Sequence, residues 1–371
     1  MKAIAITSKG IEETAALEIK EMIGSKCKIE EKCVSFDFKK FEDLCLLCYK
    51  AQSVDRIVYL IGSFEFKDFF GEINSFIDKA KLEKWILKSK SFRVECTREG
   101  THDFNSADVE SKVSEIVAKK VGIKLDTKNC ETIFFVYVVD KKCYFGVDFA
   151  GFELNKRGYK IFLHPASIRG TIAYTVIRES GYKKNETILD CFSRDGIIPI
   201  EAAFYSSGFA VNHFKKDKFA FTKLELGIDY EKFFNAIDKK TSDKCEIYAH
   251  DNLFKFVDYS RKNAKIAGVD KQINFSRTEL EWLDIKFKEN TVDRIVTSIP
   301  SSKNPNLEKI YKEFFYQAEY ILKKGGTISL VTSIPDILKK FALENKFKIL
   351  KENKINSGEQ VLAVLVFGKE K

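Results

Sequence analysis

An acid that closes an apolar run, with a glycine and a helix a few residues on, is an arrangement that can face a ligand. Residues 187–205, TILDCFSRDGIIPIEAAFY, have it. Ile188 and Leu189 read as a short strand ending on Asp190. A small, polar loop runs from Cys191 to Gly196, and Ile197 to Tyr205 read as a helix with Glu201 in its second turn. Strand, tight loop and helix make the first unit of a doubly wound sheet, whose loop and helix N-terminus point at the ligand. Many α/β proteins contain such a unit, so alone it names no reaction. A second acid is similarly placed. The strand from Glu246 to Ala249 ends near Asp251, roughly where a Rossmann-type fold puts a carboxylate for ribose hydroxyls. The same side chain would also serve as a helix cap.

The elements that must position these residues follow from periodicity. Lys2 to Thr7 read as a strand, residues 11–23 as an acidic amphipathic helix and residues 27–38 as a hairpin. The segment around Cys45 reads as a helix, and residues 58–66 return as a strand. This βαββαβ order fits a small α+β domain of ferredoxin-like type. Two short helices follow, at residues 69–80 and 82–88. A strand spans residues 91–100, and a long helix lies within 103–122, for which Ser106 is a plausible N-cap. Two strands then turn at Asp140-Lys141-Lys142. Pro165 is expected to open a helix carrying Ile168, Ile172, Val176 and Ile177. Further on, residues 307–324 read as a helix capped by Gly325 and Gly326. A strand, a helix and a closing antiparallel hairpin complete the chain.

The first motif resembles that of class I S-adenosylmethionine-dependent methyltransferases, and more narrowly that of the THUMP-domain RNA guanine-N2 methyltransferases. That branch reads Asp-Pro-x-Cys-Gly-Ser-Gly-Thr before an Ile-Glu-Ala-Ala helix. Asp190, Gly196 and Ile200-Glu201-Ala202-Ala203 match it. Cys191 stands for the proline, Arg194 for the first loop glycine and Asp195 for the serine. Arg194 brings a side chain and a charge to a place where glycine lets backbone approach the ligand. The resemblance extends over nearly the whole chain. Arg98, Gly100, His102 and Ser106 sit as in the centre of a THUMP domain. Arg157-Gly158-Tyr159 and His164-Pro165-Ala166 resemble the family's linker. Arg261-x-Asn263-Ala264 and Gly268 resemble its second helix.

The resemblance implies an α/β fold, with a Rossmann-like seven-stranded methyltransferase domain at residues 153–371. A ferredoxin-like domain at residues 1–65 and a THUMP RNA-binding domain at 66–152 would precede it. It implies S-adenosylmethionine held near Asp190, Ser193, Arg194, Gly196, Asp251 and Glu279, the last near the adenine amino group. For Arg194 two roles stand open, pairing with the methionine carboxylate or filling the pocket. His164 is read as a wall or cap of the pocket rather than a base. RNA contact falls to Arg98, His102 and Ser106, and structured RNA, tRNA or rRNA, is the implied partner. In the catalytic loop, relatives carry Asn or Asp, then Pro or Leu, Pro and an aromatic. Here the residues are Ser298, Ile299, Pro300 and Ser301. An exocyclic amine is a poor nucleophile until an acceptor holds its hydrogens, and the aromatic stacks on a flipped-out base. Ser298 offers one acceptor, Pro300 stiffens the loop, and Asn304 lies close by. The implied reaction is methyl transfer to guanosine N2. The alternative is a methyltransferase-like RNA-binding protein without activity, and a DNA adenine methylase is disfavoured by the THUMP phrase.

Composition agrees with this frame without selecting it. Among 371 residues, Lys and Arg exceed Asp and Glu by nine, spread along the chain, a weak sign of a polyanionic partner. The nine cysteines include one close pair, Cys45 and Cys48, in an apolar helical segment, and four His complete the thiol and imidazole inventory. The cysteines read as core, and no metal is expected. No apolar run is long enough for a membrane span, and MKAIAITSKG does not read as a signal peptide, so a cytoplasmic location is expected. The basic, Phe-rich stretch 213–240 reads either as core packing or as a surface for single-stranded RNA.

Overall fold

Two seven-stranded sheets organise the chain. The computed structural model describes residues 1–86, 91–123, 130–239, 246–301 and 306–369. The first sheet holds β1 (Lys2–Ile6), β2 (Cys27–Glu30), β3 (Cys33–Asp37), β4 (Arg56–Glu65), β5 (Phe92–Glu99), β6 (Thr132–Val139) and β7 (Lys142–Asp148). Their order is β2-β3-β1-β4-β7-β6-β5. β5 and β6 run parallel, and the other neighbours antiparallel. β4 is the joint, because its start pairs with β1 while most of its length pairs with β7. The βαββαβ unit and the strands beyond residue 90 therefore share one sheet. Period-two alternation sends Ala3 and Ala5 under the helices Glu12–Ile23 and Phe41–Lys50, and Ile4 and Ile6 to the opposite face with Phe135 and Tyr137.

The second sheet holds β8 (Thr187–Asp190), β9 (Glu246–Asp251), β10 (Ile273–Arg277), β11 (Val292–Ser298), β12 (Leu322–Thr332), β13 (Phe347–Ser357) and β14 (Gln360–Lys369), in the order β10-β9-β8-β11-β12-β14-β13. The first five are parallel, and β14 is antiparallel to both neighbours. This is the Rossmann-like arrangement expected from the sequence. The order reverses between β8 and β11, so the ligand crevice lies at their carboxyl ends.

Three local expectations are corrected. Asn105, not Ser106, caps the helix Ser106–Val121. Its side chain accepts from Asp108 N at 3.0 Å, and Asp108 accepts from Asn105 N at 3.0 Å. A reciprocal pair of bonds, one to the Asn105 carboxamide and one to the Asp108 carboxylate, holds the first turn better than one serine hydroxyl. Pro165 does not open a helix. His164 accepts from Ala166 N and Ser167 N, a turn, and the helix begins at Gly170 after an extended Arg169. Gly325 and Gly326 do not cap a helix either. The helix Leu307–Ile321 passes directly into β12 through an extended Leu322, and both glycines lie in that strand.

The Phe-rich stretch packs. Phe219, Phe221 and Phe234 join the core of the first sheet, and the Tyr49 hydroxyl donates to Asp238 at 2.8 Å. Phe214 alone among its phenylalanines is prominently exposed. Cys45 and Cys48 are fully buried in the helix Phe41–Lys50. Among the described residues no helix is long and apolar enough to cross a membrane.

Candidate active site

Asp190, Asp251 and Ser298 are the last residues of β8, β9 and β11. Parallel strands in register deliver all three to one edge of the sheet. Asp190 is buried, and its Oδ1 accepts from Thr297 Oγ1 at 2.5 Å and Phe192 N at 3.2 Å. Burial outweighs those bonds and pushes its carboxyl up to about 7. Asp251 accepts from Arg194 N and Leu253 N, each at 3.0 Å, and burial again raises its pKa. The carboxylate thus stitches the first loop to the start of the next helix, and each oxygen retains a second acceptor direction.

The loop Cys191–Gly196 wraps tightly. Ser193 N donates to His250 O at 2.9 Å, and Gly196 N to Ser193 O at 2.7 Å. Gly196 has φ 81°, and a Cβ there would lie 2.3 Å from Ser260 Oγ and 2.9 Å from Ser260 Cα. Glycine is therefore required by conformation and by close approach. The Oγ atoms of Ser193 and Ser260 are buried without partners among the described residues. Two orphaned hydroxyls beside a glycine cradle at a helix N-terminus suit a polar ligand at the crevice, as S-adenosylmethionine requires.

Arg194 has φ 50°, and its Nη1 donates to Ser298 Oγ and to Ala166 O, each at 3.2 Å. The substituted loop residue and the substituted catalytic-loop residue therefore touch. Ile299 is buried, and the Pro300 carbonyl accepts from the Tyr311 hydroxyl at 2.5 Å, which fixes the loop's path. Asn304 lies outside the described residues. Glu279 sits at the rim, where Arg277 approaches it at 3.7 Å and its charge contributes to raising Asp251. Thr278 N donates to Asp251 O at 3.1 Å, keeping that rim beside the second acid.

His164 is held as a wall. Its N–H donates to Asp195 Oδ2 at 3.3 Å, its ring meets Phe256 edge-on, and burial lowers its pKa. The clamp on this segment is Asn263, which the sequence pattern contains but to which it assigns no contact. Its Oδ1 accepts from Ile161 N and Phe162 N, and its Nδ2 donates to Phe162 O and Asp195 O. A second support was also missed. Glu201, fully buried, accepts from Arg157 Nε at 2.6 Å, Tyr159 Oη at 2.6 Å and Gln52 Nε2 at 2.7 Å. An acid inside an otherwise apolar helix, IIPIEAAF, signals that a buried partner must exist. Arg157 in the linker was the available cation.

Arg98, His102 and Ser106 lie in the other lobe and are not part of this site. Arg98 Nη1 meets His102 Nδ1 at 2.9 Å, and His102 Nε2 meets the Asp140 carbonyl at 2.6 Å, bracing the turn between β6 and β7. Beside them a cleft of about 730 Å³ is lined by Phe66, Phe69, Phe70, His102, Phe104 and Lys67, among others.

Comparison with known proteins agrees with this fold. A tRNA (guanine(6)-N2)-methyltransferase of Methanocaldococcus jannaschii is 27% identical over 95% of both chains. Its namesake from Archaeoglobus fulgidus is 24% identical over 98% of this chain and 91% of its own. The ribosomal RNA large subunit methyltransferase K/L of Aliivibrio fischeri is 23% identical, and the match covers about half of its length, 50%. Among solved structures, TrmN from Thermus thermophilus superposes with a TM-score of 0.76 at 23% identity, covering 100% of this chain and 99% of that one. SMU.472, solved as a complex with SAH, gives 0.82 at 19% identity over 100% and 98%. At these identities the structures speak for the fold. A THUMP domain model matches residues 67–148. The RMKL-like methyltransferase domain model matches residues 157–362, more than half of the chain, and the protein belongs to that family.

Proposed function

We propose that the protein transfers a methyl group from S-adenosylmethionine to the exocyclic N2 of a guanosine in RNA, with tRNA the substrate class that its full-length relatives suggest. The observation that carries this reading is the convergence of Asp190, Asp251 and Ser298 on the switch point of a methyltransferase sheet. When bound, S-adenosylmethionine supplies an electrophilic methyl group on a sulfonium. Asp251 and Glu279 would take the adenosine end, and Ser193, Arg194 and Gly196 the loop side. Ser298 Oγ accepts one bond from Arg194 and keeps a lone pair for an amine hydrogen. Pro300 stiffens the loop through its fixed φ. Cys191 is a poor candidate for a covalent intermediate, because burial drives its thiol pKa well up. Direct attack by an oriented amine needs none.

The same reading assigns residues 1–65 to a ferredoxin-like domain, 66–152 to the THUMP domain and 153–371 to the linker and methyltransferase domain. RNA would be met at the cleft beside Arg98, His102 and Ser106, by shape and backbone. It implies a cytoplasmic protein. Incubation with labelled S-adenosylmethionine and unmodified tRNA, rRNA or duplex DNA tests the reading. Label is expected in tRNA or rRNA, and it should fall at least tenfold with Ser298→Ala. Label confined to duplex DNA, or undiminished in that variant, contradicts the assignment.

A further inference from the structure

We propose that Arg194 is the receptor for the carboxylate on the amino-acid arm of the cofactor, and thereby sets which adenosine compounds the site accepts. The proposal rests on the S-adenosylmethionine reading above. The backbone of Arg194 is anchored, with φ 50° and its N–H on Asp251 Oδ2. That anchor aims the side chain across the crevice, where, among the described residues, Nη1 alone is engaged, by Ser298 Oγ and Ala166 O. Among the described residues, no carboxylate lies within ion-pairing distance of this guanidinium. Three other partly or fully buried arginines differ. Arg157 pairs with Glu201, Arg56 with Asp148 and Glu95, and Arg178 with Glu21.

Three acids surround Arg194, yet each is committed to other groups. Asp190 accepts from Thr297 and Phe192, Asp195 from His164 N, and Asp251 from two backbone amides. A half-buried cation without a counter-ion is costly, and burial accordingly lowers its pKa. Its Nε–Nη2 edge, unengaged among the described residues, has the two-donor geometry that a carboxylate accepts. The ring of acids argues against a phosphate dianion. A single guanidinium among three acids suits a zwitterion, whose ammonium those acids can approach.

The test is calorimetric titration of the full chain with S-adenosylhomocysteine and with 5′-methylthioadenosine, which keeps the adenosine and thioether but lacks the amino-acid arm. Arg194→Met is expected to weaken S-adenosylhomocysteine roughly ten- to a hundredfold, the loss typical of a charged hydrogen-bonded pair. 5′-Methylthioadenosine should change by less than about threefold, and Arg194→Lys should fall between, keeping charge but losing the fork. Far-ultraviolet circular dichroism establishes that each variant folds. Equal losses for both ligands would make Arg194 a structural residue, and tighter binding by Arg194→Met would make it a plug. Either overturns the proposal. A wild-type protein that binds both ligands equally also rejects it, leaving the cofactor reading intact. A wild-type protein that binds neither rejects both.

Discussion

Glu201→Gln should be among the most destabilising isosteric changes available in this protein. Its carboxylate is fully buried and accepts from Arg157, Tyr159 and Gln52, the last from the other lobe. The amide retains one acceptor oxygen but places donors where three donors already converge, and it leaves the Arg157 charge buried without a counter-ion. Breaking a buried pair in this way costs about 3–5 kcal/mol. For a unit the size of the methyltransferase domain that corresponds to a drop of roughly 6–20 °C in Tm. Because both side chains are essentially inaccessible, at 1% and 0% exposure, the loss should be nearly the same at low and high salt. The apolar double change Arg157→Met with Glu201→Leu should recover only part of it, since Tyr159 and Gln52 would still lack an acceptor. Differential scanning calorimetry of the single and double variants is the assay. A Tm within about 2 °C of wild type for Glu201→Gln, or full rescue by salt, would refute the reasoning.

Gly196→Ala forces a Cβ into Ser260 from a left-handed backbone; titration with S-adenosylhomocysteine should show at least a tenfold loss of affinity in a chain that still folds. His250 is buried, with its pKa lowered to about 4, first by burial and then by Lys286. The unfolded chain therefore takes up its proton first as pH falls. The contribution is fully present above about 6.5 and is lost between there and 4, on the order of 3 kcal/mol in all. Urea midpoints for wild type should fall through that window, and those of His250→Gln should fall less. Lys67→Ala with Lys141→Ala, two exposed cations on the aromatic cleft, should weaken RNA binding and reduce its salt slope by about two; filter binding at two salt concentrations reads this.

The chemistry-bearing ends of the strands were legible in the sequence. Asp190 closes an apolar run and Asp251 follows one two residues on, and a strand end is where such a run must stop. The helix after Asn105 was legible but its cap was not, because Asn105 and Ser106 are both good caps and only the reciprocal Asp108 bond decides. Pro165 misled because proline at a first helical position and proline in a turn share the same φ. The supports of the site were least legible. Asn263 binds residues 161, 162 and 195, and Glu201 binds residues 52, 157 and 159. Such contacts are set by tertiary approach, which no local period encodes. The contact of Arg194 with Ser298 joins positions 194 and 298, both departures from the family pattern, and only the fold brings them together.

The most direct test of the account is the identity of the product. RNA methylated by the wild-type chain with labelled S-adenosylmethionine is digested to nucleosides and resolved by mass spectrometry. The account predicts N2-methylguanosine as the labelled nucleoside, abolished or strongly reduced by Ser298→Ala. Label in a methylated adenosine or in a guanosine methylated at a ring nitrogen, or no label in RNA that the protein nevertheless binds, would contradict it.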